Sequence, residues 1–390
     1  MTSHNSTHNR RNSGVQTRLS RRSVMKSAVA GLGLLAGGRI AMPADTAPKK
    51  IRMGVVGGGF GAAHLWDEEP DCVVEAVSDL REDRRRGLAQ RFKCGKTYNS
   101  LEELVLDRNI DAVAIFTEGP NHVKHTVLAM QHGKHVFCAV PACMGYSVQE
   151  GLDQAGTLLD CVRTTGLTYM MAETSYYQYF VISMRRAYQA GVVAGIHYCE
   201  SEYLHPGLEG LWFAGGKPTW RHGAPPMFYP THCTAHLIGI TGERLTEVTC
   251  LGWGDGDPQI KGNAYGDNPF WNETAMFRTT RGNPFRVRVW WRGPVRGAER
   301  CWWYAEKMPQ YEQRHDWYRE LLPPAMHHPT GHENSHGFLA HEFIQALVRG
   351  RKPAIDVYEA LAYTVPGIIA HQSALKGGEV LKIPQFDRPG

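Results

Sequence analysis

One short segment constrains the fold of this chain more than any other. An apolar stretch that begins at Ile51 leads directly into residues 57–62, which read Gly-Gly-Gly-Phe-Gly-Ala. Glycine is needed where a backbone bends sharply and approaches a ligand closely, and a small residue such as Ala62 lets the next helix pack on the strand. The pattern predicts a strand, a tight turn and a helix whose first N–H groups bind the pyrophosphate of a dinucleotide.

The residues after this turn favour NAD as the dinucleotide. The next apolar strand ends at Asp79, 22 residues after Gly57, where a carboxylate can accept hydrogen bonds from both ribose hydroxyls. Arg81 could instead bind a 2′-phosphate, which leaves NADP as the alternative. We expect cofactor contacts at a set of turn and strand-end residues: Gly57, Gly59, Phe60, Gly61, Ala62, Asp79, Arg81, Thr117, Asn121, Val140 and Pro141.

Alternating strand and helix patterns continue to about residue 174 and predict a doubly wound parallel sheet, the Rossmann arrangement, for residues 49–174. Ligands lie outside the carboxyl ends of such strands, so Thr117, Val140 and Glu173 should face one crevice. Residues 175–390 show period-two segments at 197–203, 245–253, 272–280 and 285–291. These segments predict an α+β domain with an open, mainly antiparallel sheet, followed by helices at 337–349 and 357–376 that return to the first domain.

The N-terminal 50 residues carry nearly all of the basic excess. They hold nine Lys and Arg against one acid, while the remainder has 34 bases and 37 acids, so the chain offers no electrostatic footprint for nucleic acid. Arg21-Arg22 is followed by a 12-residue apolar run, residues 27–38, and then small residues. This order is typical of a twin-arginine export signal. The apolar run is too short to span a membrane. We expect residues 1–48 to be signal and linker, and the mature protein to be periplasmic or extracytoplasmic.

Nine cysteines are scattered without a Cys-x-x-Cys pair, so we interpret them as mostly buried thiols, and no disulfide pair can be named. His232 and His236 would share one helix face if a helix begins after Pro230. Cys233 stands where a zinc metalloprotease has Glu, and we expect no metal site. The irregularly spaced histidines between 327 and 341 predict a solvated loop or the rim of a pocket.

Several motifs resemble the Gfo/Idh/MocA family of sugar and inositol dehydrogenases. They are Pro-Asn-His at 120–122, Gly-Lys-His-Val at 133–136 and the proline at 141. The family normally has Glu-Lys-Pro at the last position, with the lysine beside the nicotinamide, whereas this chain has Ala139-Val140-Pro141. Valine before that proline, Tyr-Pro-Thr-His at 229–232 and Asp-Val-Tyr-Glu-Ala at 356–360 resemble the NAD-dependent glycosidase branch of the α-N-acetylgalactosaminidase type.

The resemblance implies that another group replaces the absent lysine. A neutral imidazole of His232 could accept and return a substrate proton, while packing roles for His232 and His236 stay open. The candidate acid and base residues are His232, Tyr229, Tyr177 and Glu173. The candidate substrate-binding residues are His236, Trp220, Arg221, Tyr179 and His122.

Three functions follow from the resemblance. The first is glycoside hydrolysis by transient oxidation with NAD, elimination, water addition and re-reduction. The second is an NAD(P)-dependent sugar or polyol dehydrogenase, and the third is a sugar-binding protein that retains NAD without turnover. Trp290, Trp291, Trp302 and Trp303 suggest that one face of the second sheet joins copies of the chain into a homo-oligomer.

Overall fold

The computed structural model describes residues 50–254, 256–293, 297–309 and 314–388. The predicted signal and linker, residues 1–48, lies outside these described residues. Within the described ranges, no helix combines the length and the apolar character that crossing a bilayer requires.

The first sheet contains six strands that are all parallel, in the order β3-β2-β1-β4-β5-β6. Val55, Ala114 and Phe137 have no exposed surface, because helices or further chain cover both faces of the sheet. The doubly wound prediction is therefore confirmed. The strands are β1 (Ile51–Val56), β2 (Cys72–Ser78), β3 (Thr97–Tyr98), β4 (Ala112–Ile115), β5 (His135–Cys138) and β6 (Tyr169–Met171).

Four helices connect these strands: α1 (Glu82–Arg91), α2 (Leu101–Leu104), α3 (His122–Gln131) and α4 (Val148–Thr165). The Ser147 side chain caps α4 by accepting a hydrogen bond from the backbone N–H of Glu150. The helix ends at Gly166, whose φ of 67° lies in the left-handed region that favours glycine. These local signals explain why α4 begins and ends at these residues.

The helix predicted directly after the glycine turn is wrong. Only a single 3₁₀ turn, Gly61–Ala63, follows the glycines, and the backbone becomes extended at His64. The break at His64 places Leu65 and Trp66 in the core, where the Trp66 ring lies 4.9 Å from the ring of Phe137. Burial of these two apolar side chains outweighs the few hydrogen bonds that a short helix would add.

The second sheet has the order β13-β7-β12-β11-β10-β14, with β12 and β7 parallel and the other neighbours antiparallel. The predicted open, mainly antiparallel sheet is confirmed. The elements after α4 are α5 (Tyr179–Gln189), β7 (Ala194–Leu204), β8 (Phe213–Ala214), β9 (Lys217–Pro218), α6 (Thr231–Thr241), β10 (Leu245–Trp253), β11 (Asn272–Thr279), β12 (Pro284–Trp290), β13 (Ala298–Lys307), α7 (Trp317–Leu321), α8 (Ser335–Val348), α9 (Val357–Leu375) and β14 (Leu381–Lys382).

Helix α9 contacts both sheets and also contacts α6, which carries His232. Thr364 on α9 accepts a hydrogen bond from the N–H of Ala142 in the first domain, and Ser373 accepts one from Cys250 on β10. The carbonyl oxygen of Tyr363 accepts a hydrogen bond from Thr234, which lies on α6. These contacts fix α6, which carries His232, against the carboxyl ends of the parallel strands.

Candidate active site

The glycine turn has the geometry that close approach of a ligand requires. Gly57 has φ of 102°, and a Cβ there would lie 2.4 Å from the carbonyl oxygen of Phe116. On the other side of the turn, a Cβ at Gly59 would meet only Arg84 at 3.8 Å, so this backbone is open to a ligand. Gly61 packs against the Phe116 ring, Ala62 is half-buried, and Phe60 projects outward. Because no helix follows the turn, a pyrophosphate would bind without a helix dipole to those N–H groups of the turn that remain, since Gly57, Gly58 and Gly61 already donate to Ser78, Asp79 and Gly57.

Asp79 is tied to this turn at the end of β2. Its Oδ2 accepts a hydrogen bond of 2.6 Å from the Gly58 N–H, and its Oδ1 accepts one of 2.8 Å from the Arg81 N–H. The Arg81 guanidinium forms an ion pair of 2.6 Å with Asp83, and both side chains are exposed. The carboxylate at position 79 therefore stands beside the glycine turn, as binding of a ribose requires.

The ends of β4 and β5 form the next wall of the crevice. The ring nitrogens of His122 lie 2.8 Å from the carbonyl oxygen of Pro141 and 3.2 Å from that of Thr117. Asn121 begins α3 at the same edge, and the peptide between Val140 and Pro141 is cis. His122 is buried and both its nitrogens face carbonyl groups, so it joins two strand ends. This placement differs from the substrate contact that we expected for His122.

Glu173 and His232 form the chemical centre of the second wall. Glu173 follows β6 and has no exposed surface, and its Oε1 lies 2.8 Å from Nδ1 of His232 on α6. The Ser175 hydroxyl is also 2.8 Å from that nitrogen, while the Ser175 N–H donates to the Glu173 carboxylate. Within the described residues, Nε2 of His232 has no hydrogen-bond partner, and this nitrogen is the one available to a substrate.

The charges of this pair decide the protonation of His232. Burial alone lowers the pKa of His232, but the adjacent Glu173 carboxylate outweighs it and raises the pKa to about 9. Burial likewise raises the pKa of Glu173, and the charge of His232 lowers it below the usual value. A pKa of about 9 corresponds to an imidazolium that can donate a proton at neutral pH, which differs from the neutral imidazole that we expected.

Two tyrosine rings enclose His232. The Tyr203 ring from β7 lies 4.4 Å from the imidazole, and the Tyr229 ring lies 5.6 Å from it. Burial raises the pKa of Tyr203 and of Tyr229, although Arg221 acts in the opposite direction on both. Both hydroxyls thus stay protonated and can donate hydrogen bonds to sugar oxygens.

Trp220 and Arg221 link this pocket to the nucleotide crevice. Trp220 packs on Gly119, where a Cβ would lie 3.1 Å from the indole ring, and the Arg221 guanidinium lies 4.2 Å from the centre of that ring. The Tyr265 hydroxyl fixes the segment by donating to the Trp220 carbonyl oxygen. Trp220 and Arg221, which we predicted to bind the substrate, therefore lie in the cleft between the Rossmann domain and the second domain.

His236 is one turn beyond His232 but is fully buried. Its Nδ1 lies 2.7 Å from the Ser201 hydroxyl, and its Nε2 lies 3.3 Å from Glu299. Burial raises the pKa of Glu299, but the close contact with His236 and the charge of His232 lower it to about 2. His236 therefore holds an anionic carboxylate in place, and the structure does not present it to a substrate as we expected.

Tyr177 and Tyr179 also point away from His232. The Tyr177 ring stacks on Phe338 of α8 at 5.6 Å, and Tyr179 begins α5, where its N–H donates to Glu333. The 3₁₀ turn at Thr174–Tyr177 turns these side chains toward α8 and α5. Tyr203 takes the place beside the imidazole that we expected Tyr177 to occupy.

Sequence reasoning missed Tyr203, Ser201 and Glu299. Period-two alternation in 197–203 could have placed Tyr203 and Ser201 on one face of β7, since residues two apart in a strand point the same way. Glu299 lies in β13, which we did not predict. Its sequence, Ala-Glu-Arg-Cys-Trp-Trp-Tyr-Ala-Glu-Lys, sets two tryptophans side by side and obscures the alternation.

The histidines between 327 and 341 form a contact between domains. The ring of His336 lies 5.0 Å from the Phe60 ring and 4.8 Å from that of His64, and His341 lies 2.8 Å from Glu69. His332 lies 5.7 Å from the Phe60 ring. The predicted pocket rim thus rests on the glycine turn. In the described part of the chain, no group of three His, Cys, Asp or Glu side chains is arranged to hold a metal ion.

Comparison with known proteins gives a consistent result. The family model described as "Oxidoreductase family, NAD-binding Rossmann fold" matches residues 51–173. A glycosyl hydrolase family 109 protein of Streptomyces coelicolor is 24% identical over 87% of this chain and 83% of its own length. A myo-inositol 2-dehydrogenase of Thermotoga maritima is 29% identical over 30% of this chain and 36% of its own length.

Among solved structures, levoglucosan dehydrogenase in complex with NADH and levoglucosan superposes with a TM-score of 0.72 at 16% identity. The match covers 86% of this chain and 100% of that one. With the sequence matches, this result confirms the predicted fold, the NAD cofactor and the prediction of an enzyme with an oxidoreductase fold.

Proposed function

Because residues 51–173 form a Gfo/Idh/MocA oxidoreductase domain with an NAD-binding Rossmann fold, we propose that this enzyme hydrolyses a glycoside through transient oxidation of the sugar. The sequence of steps is oxidation of a ring carbinol, elimination of the glycosidic group, addition of water and re-reduction. The relationship to glycosyl hydrolase family 109 proteins over most of the chain supports this choice.

The observation that carries the proposal is the protonated His232 beside Glu173. Oxidation of a sugar hydroxyl needs a proton acceptor in a dehydrogenase and in the proposed cycle alike, and the chain has Val140 where the resembled dehydrogenases have lysine. An imidazolium whose Nε2 is open to the cleft instead suits protonation of a departing glycosidic oxygen. Oxidation of a sugar to a ketone has no leaving group to protonate, so this acid favours the glycosidase over the dehydrogenase.

The residues of the first domain fit NAD. The left-handed Gly57, the open backbone at Gly59 and the carboxylate of Asp79 provide what a pyrophosphate and an adenosine ribose need. When bound, NAD⁺ supplies the acceptor for the substrate hydride and, as NADH, returns it at the end of the cycle. A cofactor regenerated in each turnover suits an enzyme exported by the predicted twin-arginine route.

The residues of the second domain would manage the protons. His232 donates to the leaving oxygen, and the neutral imidazole then accepts a proton from the water that adds, so the residue ends as it began. Tyr203 and Tyr229 can donate hydrogen bonds to ring oxygens, and Arg221 can bind a hydroxyl or an acidic substituent. The protons released from the oxidised hydroxyl and from C2 would pass to solvent and be taken back from it at the re-reduction and the water addition, so over the whole cycle only water is consumed.

Aryl glycosides, assayed with and without added NAD⁺, test the proposal. We expect release of the aglycone without net NADH, and exchange of a deuterium at C2 of the sugar with solvent. Stoichiometric NADH with retention of C2 deuterium would instead establish the dehydrogenase alternative. Absence of both reactions on a broad sugar panel, together with tight NAD binding, would leave the non-catalytic alternative.

A further inference from the structure

Two free thiols face each other on neighbouring strands of the second sheet. The sulfur of Cys199 on β7 lies 3.6 Å from the sulfur of Cys301 on β13. In the register of the two strands Cys199 is opposite Trp303, and Cys301 is opposite Ser201, so the cysteines are diagonal neighbours on the same face. All nine cysteines lie in the described ranges, and among them only these two thiols are in hydrogen-bond contact with each other.

We propose that Cys199 and Cys301 are a site of reversible disulfide formation. The two sulfurs need to move from 3.6 Å to about 2.05 Å, and because diagonal positions lie near the largest Cα separation that a disulfide spans, a small approach of β13 to β7 must accompany rotation of the two side chains. Cys301 lies on β13, the edge strand of the sheet, and is partly exposed, whereas Cys199 is buried. Cys301 is the less buried of the two residues, so we assign to it the first attack on an external oxidant.

The oxidant is a small-molecule disulfide such as oxidised glutathione. The Cys301 thiolate attacks one of its sulfurs, forms a mixed disulfide and releases the first glutathione thiol. Cys199 then attacks the Cys301 sulfur and releases the second, so two protein thiols are oxidised and one disulfide is reduced to two thiols. Burial raises the pKa of Cys301, so the first step should be slow at neutral pH and faster at pH 8.5.

The bond would join the two strands that support the active site. Ser201 is two residues from Cys199, and Glu299 is two residues from Cys301, and both of these side chains contact His236. A covalent link here closes a loop of about a hundred residues and restricts the unfolded chain. This inference does not depend on the proposed function.

Mass spectrometry of the full-length protein tests the site. After oxidation with glutathione disulfide at pH 8.5 and blocking of free thiols, we expect the tryptic peptide 301–307 to be linked to the peptide that contains Cys199, with loss of two hydrogens. The melting temperature should rise by several degrees and return to its first value with dithiothreitol.

Variants provide the matched comparison. Cys199→Ser and Cys301→Ser should abolish both the linked peptide and the rise, while Cys250→Ser, at a buried cysteine of β10 in the same sheet, should keep both. Free or glutathionylated Cys199 and Cys301 after oxidation of the wild-type protein, or a link through other cysteines, would overturn the proposal even if a serine variant failed to fold.

Discussion

At the scale of single residues, the Glu173–His232 pair dominates the chemistry. A buried imidazole would lose its proton without a partner, since desolvation penalises the charged form. The carboxylate 2.8 Å from Nδ1 reverses that balance and raises the pKa of His232 to about 9. The two residues thus form a buried ion pair that keeps His232 protonated at neutral pH.

The rate should depend on this proton. We expect kcat to decline as pH rises through about 9, and the decline to move to lower pH in Glu173→Gln, because burial then lowers the pKa of His232 and only the charge of Glu299 raises it. The stabilisation of the fold by the charged imidazole should likewise be complete below pH 6.5 and lost toward pH 9. Kinetic pH profiles and NMR titration of the His232 ring measure both.

Glu69→Gln is the control, since it removes another buried carboxylate that pairs with a histidine, His341, away from the imidazole of His232. Its rate profile should match that of the wild type. A wild-type rate that rises through pH 9 would show that His232 works as a base.

Asp79 should determine the affinity for NAD. We expect Asp79→Ala to weaken NAD binding by about 10- to 100-fold, because it removes the acceptor for the ribose and also the hydrogen bond from the Gly58 N–H. A hydrogen bond to a charged group contributes about 1.5–3 kcal/mol. Calorimetry with NAD and NADP measures the effect. Asp83→Ala, which removes only the ion pair of the exposed Arg81, should bind NAD like the wild type. Unchanged affinity in Asp79→Ala would refute the role of Asp79 in binding the ribose.

At the scale of elements, the start of α6 is held by a buried carboxylate of β11. Glu273 has no exposed surface, and its Oε1 lies 2.7 Å from Nδ1 of His371 on α9. Its Oε2 accepts a hydrogen bond of 2.7 Å from the Met227 N–H in the turn before Tyr229. One side chain therefore ties a strand, a helix and the turn that leads to Tyr229 and His232.

Removal of Glu273 should destabilise the fold strongly. Glu273→Ala leaves His371 and the Met227 N–H buried without their partner, and we expect a loss of about 3–5 kcal/mol in the free energy of unfolding, measured with urea. Glu247→Ala on β10, where the ion pair with Lys382 is at the surface, is the control and should unfold like the wild type. Equal stability of both variants would show that the buried network is dispensable.

At the scale of the whole molecule, the two sheets use their faces differently. Helix α6 covers the inner face of the second sheet, and there the indoles of Trp303 and Trp291 donate hydrogen bonds to the carbonyl oxygens of His236 and Ala224. The prediction that all four tryptophans line one outer surface is therefore wrong for these two, because adjacent residues in a strand point to opposite faces. Trp302 and Trp290 belong to the outer face.

That outer face remains our predicted surface for homo-oligomers. Leu251, Met276 and Tyr304 are exposed there together with Trp302, which is 39% exposed. We expect the wild-type protein to be a dimer or tetramer and Trp302→Glu to dissociate it, because a charge would be buried in an apolar contact. Light scattering after gel filtration measures the mass. Leu375→Glu, at an exposed position at the end of α9, should leave the assembly intact, and a monomeric wild-type protein would contradict the prediction.

Local patterns in the sequence were sufficient for the architecture of the first domain. The glycine turn and the apolar strands act over a few neighbours, and so they predicted the doubly wound parallel sheet and the position of Asp79 at the end of a strand. The helix after the glycine turn failed for the opposite reason. Whether a helix forms there depends on burial of Leu65 and Trp66 against Phe137, which is distant in sequence.

Only the tertiary structure decided which groups meet at the active site. Tyr203 and Glu299 reach it through pairing of β7 with β12 and β13, and Tyr177 leaves it because a 3₁₀ turn directs its ring to Phe338. The sequence by itself determined that His232 would be present, but its charge depends on a carboxylate 59 residues away in the chain and on exclusion of water from both. Proximity and burial of this kind arise from packing, since no local propensity encodes which distant side chains share a low-dielectric space.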